Sequence, residues 1–136
     1  MIVDTSALLA FFDTDEPDHT AVATVLDTAA TESLVVSPYV VAELDYLVAS
    51  RLGVSAELAV LRELAGGAWD LATFGAEDLA KAHAVVEKYA DQSIGLADAS
   101  IVILADRYQT RTVVTPDRRN FGVLRPIEGG SFKILP

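Results

Sequence analysis

The sequence predicts an α/β protein: a single three-layer α/β/α domain with a mostly parallel central sheet of about five strands. Short apolar segments alternate with longer segments of helical periodicity, which is typical of a parallel sheet covered on both faces. The chain has 136 residues, an ordinary size for one domain. No linker rich in Pro, Gly or Ser divides it. Residues 1–136 are therefore expected to form one domain.

Five short segments have the apolar, often β-branched character of buried strands. They are residues 2–3, 34–36, 69–74, 112–115 and 132–135. Parallel strands are joined by right-handed connections, so these segments are expected to form a doubly wound sheet. In such a sheet, ligands bind at the carboxyl edge, near the point where the strand order reverses.

The segments between the strands carry helix start and stop signals. Ser37-Pro38 places a capping hydroxyl before a proline at the first helical position, and Gly53 ends that helix after Leu52. The other predicted helices are a short one after residue 6, one that Asp18 caps, one at 56–65 that Ser55 caps, one at 75–89 and a last one at 96–108.

Composition limits the cellular setting. Apolar residues make up 51% of the chain, which fits a filled core, but no apolar run is long enough to span a bilayer. No basic leader precedes the first strand, and cysteine is absent, so we expect a cytoplasmic protein without disulfides or thiolate metal sites.

The charge of the chain is uneven. The net charge of −10 by itself argues against a nucleic-acid partner. However, six of the ten basic residues lie after position 106, where only Asp117 and Glu128 are acidic. This asymmetry allows one side of an acidic protein to contact a polyanion.

Four acidic residues stand at positions that the predicted fold would bring together. Asp4 ends the first strand, and Asp117 follows the fourth almost immediately. Glu43 lies in the second turn of the helix after the second strand, beside its apolar face, and Asp98 lies in the first turn of the last helix. Strand ends and early helical turns meet at one edge of a doubly wound sheet.

Clustered carboxylates repel one another unless a cation is present, because like charges a few Å apart raise at least one pKa. Oxygen ligands without cysteine or a suitably placed histidine favour Mg²⁺ or Mn²⁺ over zinc. Such an ion binds phosphate and lowers the pKa of a bound water so that the water can attack. The pattern therefore indicates metal-dependent phosphoester hydrolysis.

Each acid also has a simpler interpretation. An aspartate at a strand end or helix start is commonly a helix cap. For the two acids predicted on inward faces, Glu43 and Asp98, the simpler interpretation is a buried carboxylate paired with an arginine. The coincidence of all four acids favours the site.

Four motifs in this order and spacing resemble the PIN-domain ribonucleases, and specifically the VapC toxins of bacterial toxin–antitoxin modules. They are Val3-Asp4-Thr5-Ser6-Ala7-Leu8, the segment from Ser37-Pro38 to Glu43-Leu44, Gly95-Leu96-Ala97-Asp98-Ala99-Ser100-Ile101-Val102, and Val114-Thr115-Pro116-Asp117-Arg118-Arg119-Asn120-Phe121. The resemblance covers nearly the whole chain.

The resemblance implies that Asp4, Glu43, Asp98 and Asp117 form an acidic catalytic cluster that binds Mg²⁺, with Mn²⁺ able to substitute. It further implies endonucleolytic cleavage of RNA, a homodimer, and a cognate antitoxin whose C-terminal segment occupies the active-site groove.

The resemblance also suggests roles around the cluster. Ser6 and Thr115 match hydroxyl positions that orient carboxylates or water. Asn120 stands where some relatives have another acid, which leaves its part in a second metal site open.

Arg118 and Arg119 are candidates for contacts with RNA phosphates, although surface arginines after a strand are common. Asp91 is interpreted as a solvated or capping residue.

Two other classes of function fit the sequence less well. A receiver-type phosphoacceptor needs paired acids after the first strand, and a haloacid-dehalogenase-type phosphatase needs Asp-x-Asp there; Asp4 stands alone, with Ser6 at the second position. A catalytically silent PIN-like interaction module remains the alternative, and the presence of all four acids argues against it.

Overall fold

The computed structural model describes residues 1–136 and contains five strands and seven helices. The strands are β1 (Ile2–Val3), β2 (Val35–Val36), β3 (Asp70–Leu71), β4 (Thr112–Val114) and β5 (Lys133–Leu135). The helices are α1 (Thr5–Phe12), α2 (His19–Thr28), α3 (Pro38–Leu52), α4 (Val54–Ala65), α5 (Ala76–Lys88), α6 (Leu96–Arg107) and α7 (Arg118–Val123).

The strands form one parallel sheet in the order β3-β2-β1-β4-β5. Ile2 of β1 is in register with Val35 on one side and Val113 on the other. The chain therefore builds the sheet outward from β1 in one direction and then from β4 in the other. The strand order reverses between β1 and β4, and the predicted doubly wound sheet is confirmed.

The helices cover both faces of this sheet. The connections from β1 to β2 and from β2 to β3 run in one direction along the sheet, whereas those from β3 to β4 and from β4 to β5 run in the other. Right-handed crossovers then place α1–α4 on one face and α5–α7 on the opposite face. In agreement, α1 packs on α2 and α3, α3 on α4, and α5 on α6. Helices α3 and α6 also contact each other, and the hydroxyls of Ser37 and Ser100 lie 2.6 Å apart. The three-layer prediction is confirmed.

The core is centred on the middle strands and on α6. Every residue of β1 and β2 is buried, and so is the continuous segment 99–105 of α6. A helix that is apolar on all sides can only be stable between other elements, and α6 lies against both α5 and β1. This burial fixes the position of the first turn of α6, which carries Asp98. None of the seven helices combines the length and apolar character that crossing a lipid bilayer requires.

Several predicted boundaries are wrong. The sequence pattern does not predict helix α7, because six residues with a glycine among them are too few for a helical period to be visible. Helix α4 begins at Val54 with Gly53 as its N-cap, so Ser55 is not a cap. Strand β3 is shorter than the predicted segment 69–74, and it pairs with β2 alone.

Gly53 ends α3 as predicted and also connects it directly to α4. Its φ of 90° and ψ of 174° place it in a region of backbone conformation that is almost exclusive to glycine. This conformation turns the chain sharply, so that α3 and α4 pack against each other.

We expect Gly53→Ala to destabilise the protein by about 1–3 kcal/mol, because a Cβ is strained in this conformation even though no atom lies within 4 Å of its position. Gly75→Ala is the matched control. Gly75 is also a helix N-cap but has an extended φ of −102° and equally open surroundings, so that change adds no backbone strain and should cost less, losing only the preference of an N-cap for glycine over alanine. Urea denaturation of both variants measures the difference, and equal stabilities would contradict the prediction.

Candidate active site

Asp4 and Asp117 lie together at the carboxyl edge of the sheet because β1 and β4 are neighbours. Asp4 follows β1 directly, and its backbone N–H donates to the carbonyl of Val114, the last residue of β4, at 3.1 Å. Asp117 follows three residues after Val114 and is the N-cap of α7. The two carboxylates therefore lie at the point where the strand order reverses, the usual ligand position in this class of sheet.

Asp4 is buried and held by two hydroxyl groups. Its side chain accepts hydrogen bonds at Oδ2 from Ser6 Oγ and from Thr115 Oγ1, both at 2.9 Å. The two hydroxyls are 3.0 Å apart, and Thr115 Oγ1 also accepts from the backbone N–H of Asp117 at 3.0 Å. Asp4 makes no side-chain cap bond to α1, so for this residue the cap interpretation is wrong.

Burial has an electrostatic cost at Asp4. The pKa of its carboxyl is raised, chiefly because burial disfavours the charged form, and the negative charge of Glu43 adds to this. The hydrogen bonds from Thr115 and Ser6 act in the opposite sense and stabilise the carboxylate. The fold thus directs two hydroxyl donors at one carboxylate oxygen of Asp4, which offsets part of the cost of burying its charge.

Asp98 lies in the first turn of α6 and senses the other three acids. Burial raises its pKa from 3.8 to about 6, assisted by the negative charges of Asp4, Glu43 and Asp117, while the backbone N–H of Gly95 lowers it. No arginine or lysine forms an ion pair with Asp98, so the buried ion-pair interpretation is wrong for this residue. The four predicted acids therefore share one electrostatic site.

Asn120 touches this site directly. Its side-chain Nδ2 donates to Asp98 Oδ2 at 3.2 Å. The family resemblance leaves the role of this position open, and the contact shows that the amide serves the Asp98 carboxylate as a neutral donor. An amide in this place adds no negative charge to a cluster whose members already repel one another.

Glu43 is placed differently from the prediction. The buried stripe of α3 consists of Val40, Leu44 and Val48, and Glu43 lies beside it with its side chain exposed to solvent. It lines an open cleft, here called the acidic cleft, next to Ser6 and Asp117. The predicted inward orientation of Glu43 is wrong, because a residue adjacent to an apolar stripe can still lie outside the packed interface.

Asp117 combines two functions. Its Oδ1 accepts from the backbone N–H of Arg119 at 3.0 Å, so the cap interpretation is correct for this residue. Its Oδ2 lies 3.9 Å from the guanidinium of Arg119, whose side chain is 86% exposed. An ion pair this exposed is weak, and it leaves the carboxylate accessible at the rim of the acidic cleft.

The remaining predicted residues lie around the cluster. The guanidinium of Arg118 donates to the carbonyl of Pro136, which ties it to the end of the chain. Arg119 extends into solvent. Asp91 is exposed and, together with Arg119 and Asn120, lines a separate depression on the α7 side of the cluster.

One polar atom near the site has no partner. Thr5 is buried, and its Oγ1 forms no hydrogen bond, yet the residue lines the acidic cleft beside Ser6. A buried hydroxyl without a partner carries a free-energy cost that a bound ligand can remove. The family resemblance suggests a role for Ser6 but none for Thr5, although the Asp-Thr-Ser order places both hydroxyls at the start of α1.

The donor set suits a hard divalent cation. It consists entirely of oxygen atoms, and two of its carboxylates have raised pKa values that a nearby positive charge would lower. No three acidic or histidine side chains lie close enough together to complete an ion site by themselves. An ion held by one or two carboxylates, with water filling its other positions, is compatible with this arrangement, and Mg²⁺ commonly binds in that way.

Comparison with known proteins identifies the family. The PIN domain model matches residues 1–124. Ribonuclease VapC26 of Mycobacterium tuberculosis is 65% identical over 136 residues, and the match covers 100% of both chains. At this level of identity and coverage, the two chains share their family as well as their fold.

Solved structures show the same fold at lower identity. VapC20 of Mycobacterium tuberculosis, a Sarcin-Ricin loop cleaving toxin, superposes with a TM-score of 0.83 at 16% identity and covers 99% of this chain and 98% of that chain. DNA-bound VapBC from Salmonella typhimurium gives a TM-score of 0.71 at 18% identity over 98% of this chain and 96% of that chain. Together with the sequence match, these findings confirm the predicted resemblance: the chain belongs to the PIN domain family, among its VapC ribonucleases.

Proposed function

We propose that this protein is a Mg²⁺- or Mn²⁺-dependent endoribonuclease and the toxin of a VapBC-type toxin–antitoxin module. The observation that carries the proposal is the pair of acids Asp4 and Asp98, which lie at the switch point of the sheet with raised pKa values and no basic partner. The relative that is 65% identical is named a ribonuclease, which supports RNA as the substrate.

Asp4 and Asp98 are the principal candidates for metal ligands, with Glu43 and Asp117 contributing from the rim of the acidic cleft. When bound, a divalent ion neutralises these carboxylates, polarises the phosphate and lowers the pKa of a water that can attack phosphorus. Ser6 and Thr115 occupy only Oδ2 of Asp4. They fix the orientation of the carboxylate and leave Oδ1 without a side-chain donor.

The start of α1 favours an anionic substrate. Asp4 makes no side-chain cap bond to this helix, and of the first-turn N–H groups only that of Thr5 interacts with its carboxylate. The positive end of the helix dipole, together with free amide groups, favours binding of phosphate. Thr5 lies in the same turn and offers its unpartnered hydroxyl as a further donor.

The proposal extends to partners and setting. We expect residues 1–136 to form one catalytic domain that acts in the cytoplasm as a homodimer. We also expect a cognate antitoxin to inhibit it by placing its C-terminal segment in the active-site groove. The acidic cleft has Glu16, Asp18, Glu43 and Asp117 along its walls and only Arg51 as a cation. A basic peptide segment is complementary to such a surface. The structural similarity to a VapBC complex is consistent with a partner of this kind.

A catalytically silent PIN-like module is the second candidate function. Two observations favour it: Glu43 is exposed, and Asp117 already caps a helix. Only Asp4 and Asp98 then remain as acids whose surroundings suggest metal binding. Another metal-dependent phosphohydrolase activity would use the same residues. Activity and metal binding separate these possibilities, as follows.

We expect Asp98→Asn to reduce RNA cleavage by at least about 10²-fold, because the amide removes a negative ligand for the cation while preserving the shape of the side chain. Asp4→Asn should have a similar effect. The measurement is cleavage of labelled total RNA in Mg²⁺, followed by sequencing of the RNA ends to locate the cut.

Asp106→Asn is the matched control for these variants, because Asp106 lies near the opposite end of α6, away from the cluster. It should cleave like wild type. Wild-type activity in both Asp4→Asn and Asp98→Asn would contradict the assigned roles.

We expect Mn²⁺ or Mg²⁺ to raise the melting temperature of the wild-type protein. An ion at 100 times its dissociation constant stabilises the folded state by about 2.7 kcal/mol, which corresponds to a rise of several degrees for a domain of this size. Asp98→Asn should respond much less. A silent module would show no response in either protein, and that outcome would exclude the metal-dependent mechanism.

We expect the metal-free protein to lose stability as the pH rises through about 6. The pKa of Asp98 is about 6 in the folded state and 3.8 by reference, so its protonated form is the one that the fold favours. The stability that protonated Asp98 contributes is fully present below its reference pKa of 3.8 and is lost as the pH rises above its folded-state pKa of about 6. Melting in EDTA between about pH 4.5 and 7.5, a range that includes the folded-state value of about 6, should show a smaller decline in Asp98→Asn. Identical declines in the two proteins would contradict this origin.

A further inference from the structure

The acid cluster has surfaces of opposite charge on its two sides. On one side lies the acidic cleft, where Glu16 and Asp18 add to the negative charge of Glu43 and Asp117 of the cluster itself. On the other side, beyond α7, lies a groove of about 310 Å³ that contains no acidic residue. This basic groove is formed by three cationic side chains and an apolar wall: Lys81, Lys88, Arg125, Val85, Tyr89 and Ile127.

The cations of the basic groove are free to bind a ligand. Lys81, Lys88 and Arg125 are exposed, and none of them takes part in an ion pair. Asp78, one turn before Lys81, is paired with Arg107 at 2.6 Å. One nitrogen of the Arg125 guanidinium donates to the carbonyls of Gly122 and Leu124. The groove therefore carries a local positive charge in a protein whose net charge is −10.

Helix α7 connects the basic groove to the acid cluster. Near its start, Asn120 donates to Asp98, and just beyond its end the backbone N–H of Arg125 donates to the hydroxyl of Tyr89 at 3.2 Å. A helix of six residues is about 9 Å long. The depression that Arg119 and Asn120 line lies along the same helix. One short helix therefore links the cluster to the groove.

We propose that the RNA strand cleaved at Asp4 and Asp98 continues across α7 into the basic groove, where Lys81, Lys88 and Arg125 bind its sugar–phosphate backbone. This inference rests on the proposed ribonuclease function and adds a binding site for the substrate outside the cluster. A polyanion whose phosphate lies at the cluster is repelled by the acidic cleft and attracted by the groove. The charge difference thus sets the direction in which the strand leaves the site.

An acidic segment of a partner protein has similar charge, but the geometry favours RNA. The groove and Asp98 are linked through the short helix α7, so we expect one strand to reach both places. The Tyr89 ring lies in the groove with the Lys88 ammonium 5.4 Å from its centre. Aromatic rings next to cations are a common arrangement for binding single-stranded nucleic acids.

The test uses the double variant Lys81→Ala/Lys88→Ala and a matched control, Arg62→Ala/Lys133→Ala. Both remove two exposed positive charges, but Arg62 and Lys133 lie on α4 and β5, outside the groove. Each pair is placed in the Asp98→Asn background for binding and in the active protein for cleavage. The probe is a fluorescein-labelled 20-nucleotide RNA of random sequence, with anisotropy measured in Mg²⁺ at 50 and 200 mM KCl.

We expect the groove variant to bind this RNA about tenfold more weakly at the lower salt concentration. Its slope of log K against log [salt] should be smaller in magnitude by about 1.4, because two phosphate contacts are lost and each contact with a single strand contributes about 0.7. In the active protein, the apparent KM for RNA should rise about tenfold with kcat unchanged. The control variant should match its parent in RNA affinity, in salt slope and in KM.

The outcomes separate the two proposals. If the wild-type protein cleaves RNA but the groove variant equals its parent in KM and salt slope, the groove inference is wrong and the ribonuclease function stands. If the wild-type protein cleaves no RNA, the proposed function itself fails. A 15-residue glutamate peptide provides the remaining comparison. If it binds the wild-type protein but not the groove variant, while RNA binds both equally, the groove serves an acidic protein segment instead.

Discussion

The repulsion between the buried carboxylate of Asp4 and the half-buried carboxylate of Asp98 is the constraint on which the rest of the site depends. Both groups have raised pKa values, and Asp98 is affected by every other acid of the cluster. A fold gains nothing from such an arrangement in the absence of a cation, because burial and like charge both oppose ionisation. The chain nevertheless keeps arginine and lysine away from Asp98 and gives it a neutral amide, Asn120, as its neighbour. Functional sites commonly keep such destabilising arrangements, and the binding of a ligand compensates for the stability that they cost.

Parallel pairing of β1 with β4 makes this arrangement possible. The two strands are more than 100 residues apart in the sequence, yet their register brings Asp4 beside the residues that follow Val114. Thr115 contacts Asp4, Ser6 and the backbone of Asp117 through a single hydroxyl group. One short hydrogen-bond network therefore joins the start of α1 to the start of α7, and the orientation of the Asp4 carboxylate follows from the sheet.

Some of this organisation could be predicted from the sequence, and the reasons are physical. Asp4 and Asp98 could be located because a carboxylate directly after a buried strand, or in the first turn of an apolar helix, has little freedom in position. Gly53 could be located because a helical pattern that stops abruptly at glycine is a strong signal of a helix end. The exposure of Glu43 could not be predicted, since periodicity gives the direction of a side chain only to within the width of a helical stripe. Helix α7 and the contact of Asn120 with Asp98 depend on tertiary packing that no local pattern of six residues encodes.

The complete burial of residues 99–105 in α6 has a consequence for ion selection. This helix lies between α5 and the central strand, so the backbone that carries Asp98 cannot shift outward without disturbing close-packed side chains. A carboxylate on such a rigid support cannot easily adapt its distance to ions of different radius. Ca²⁺ prefers oxygen atoms at about 2.3–2.6 Å and more ligands, whereas Mg²⁺ prefers about 2.0–2.1 Å. We therefore expect the stiffness of one buried helix, more than the identity of the acids, to distinguish the smaller ion from the larger.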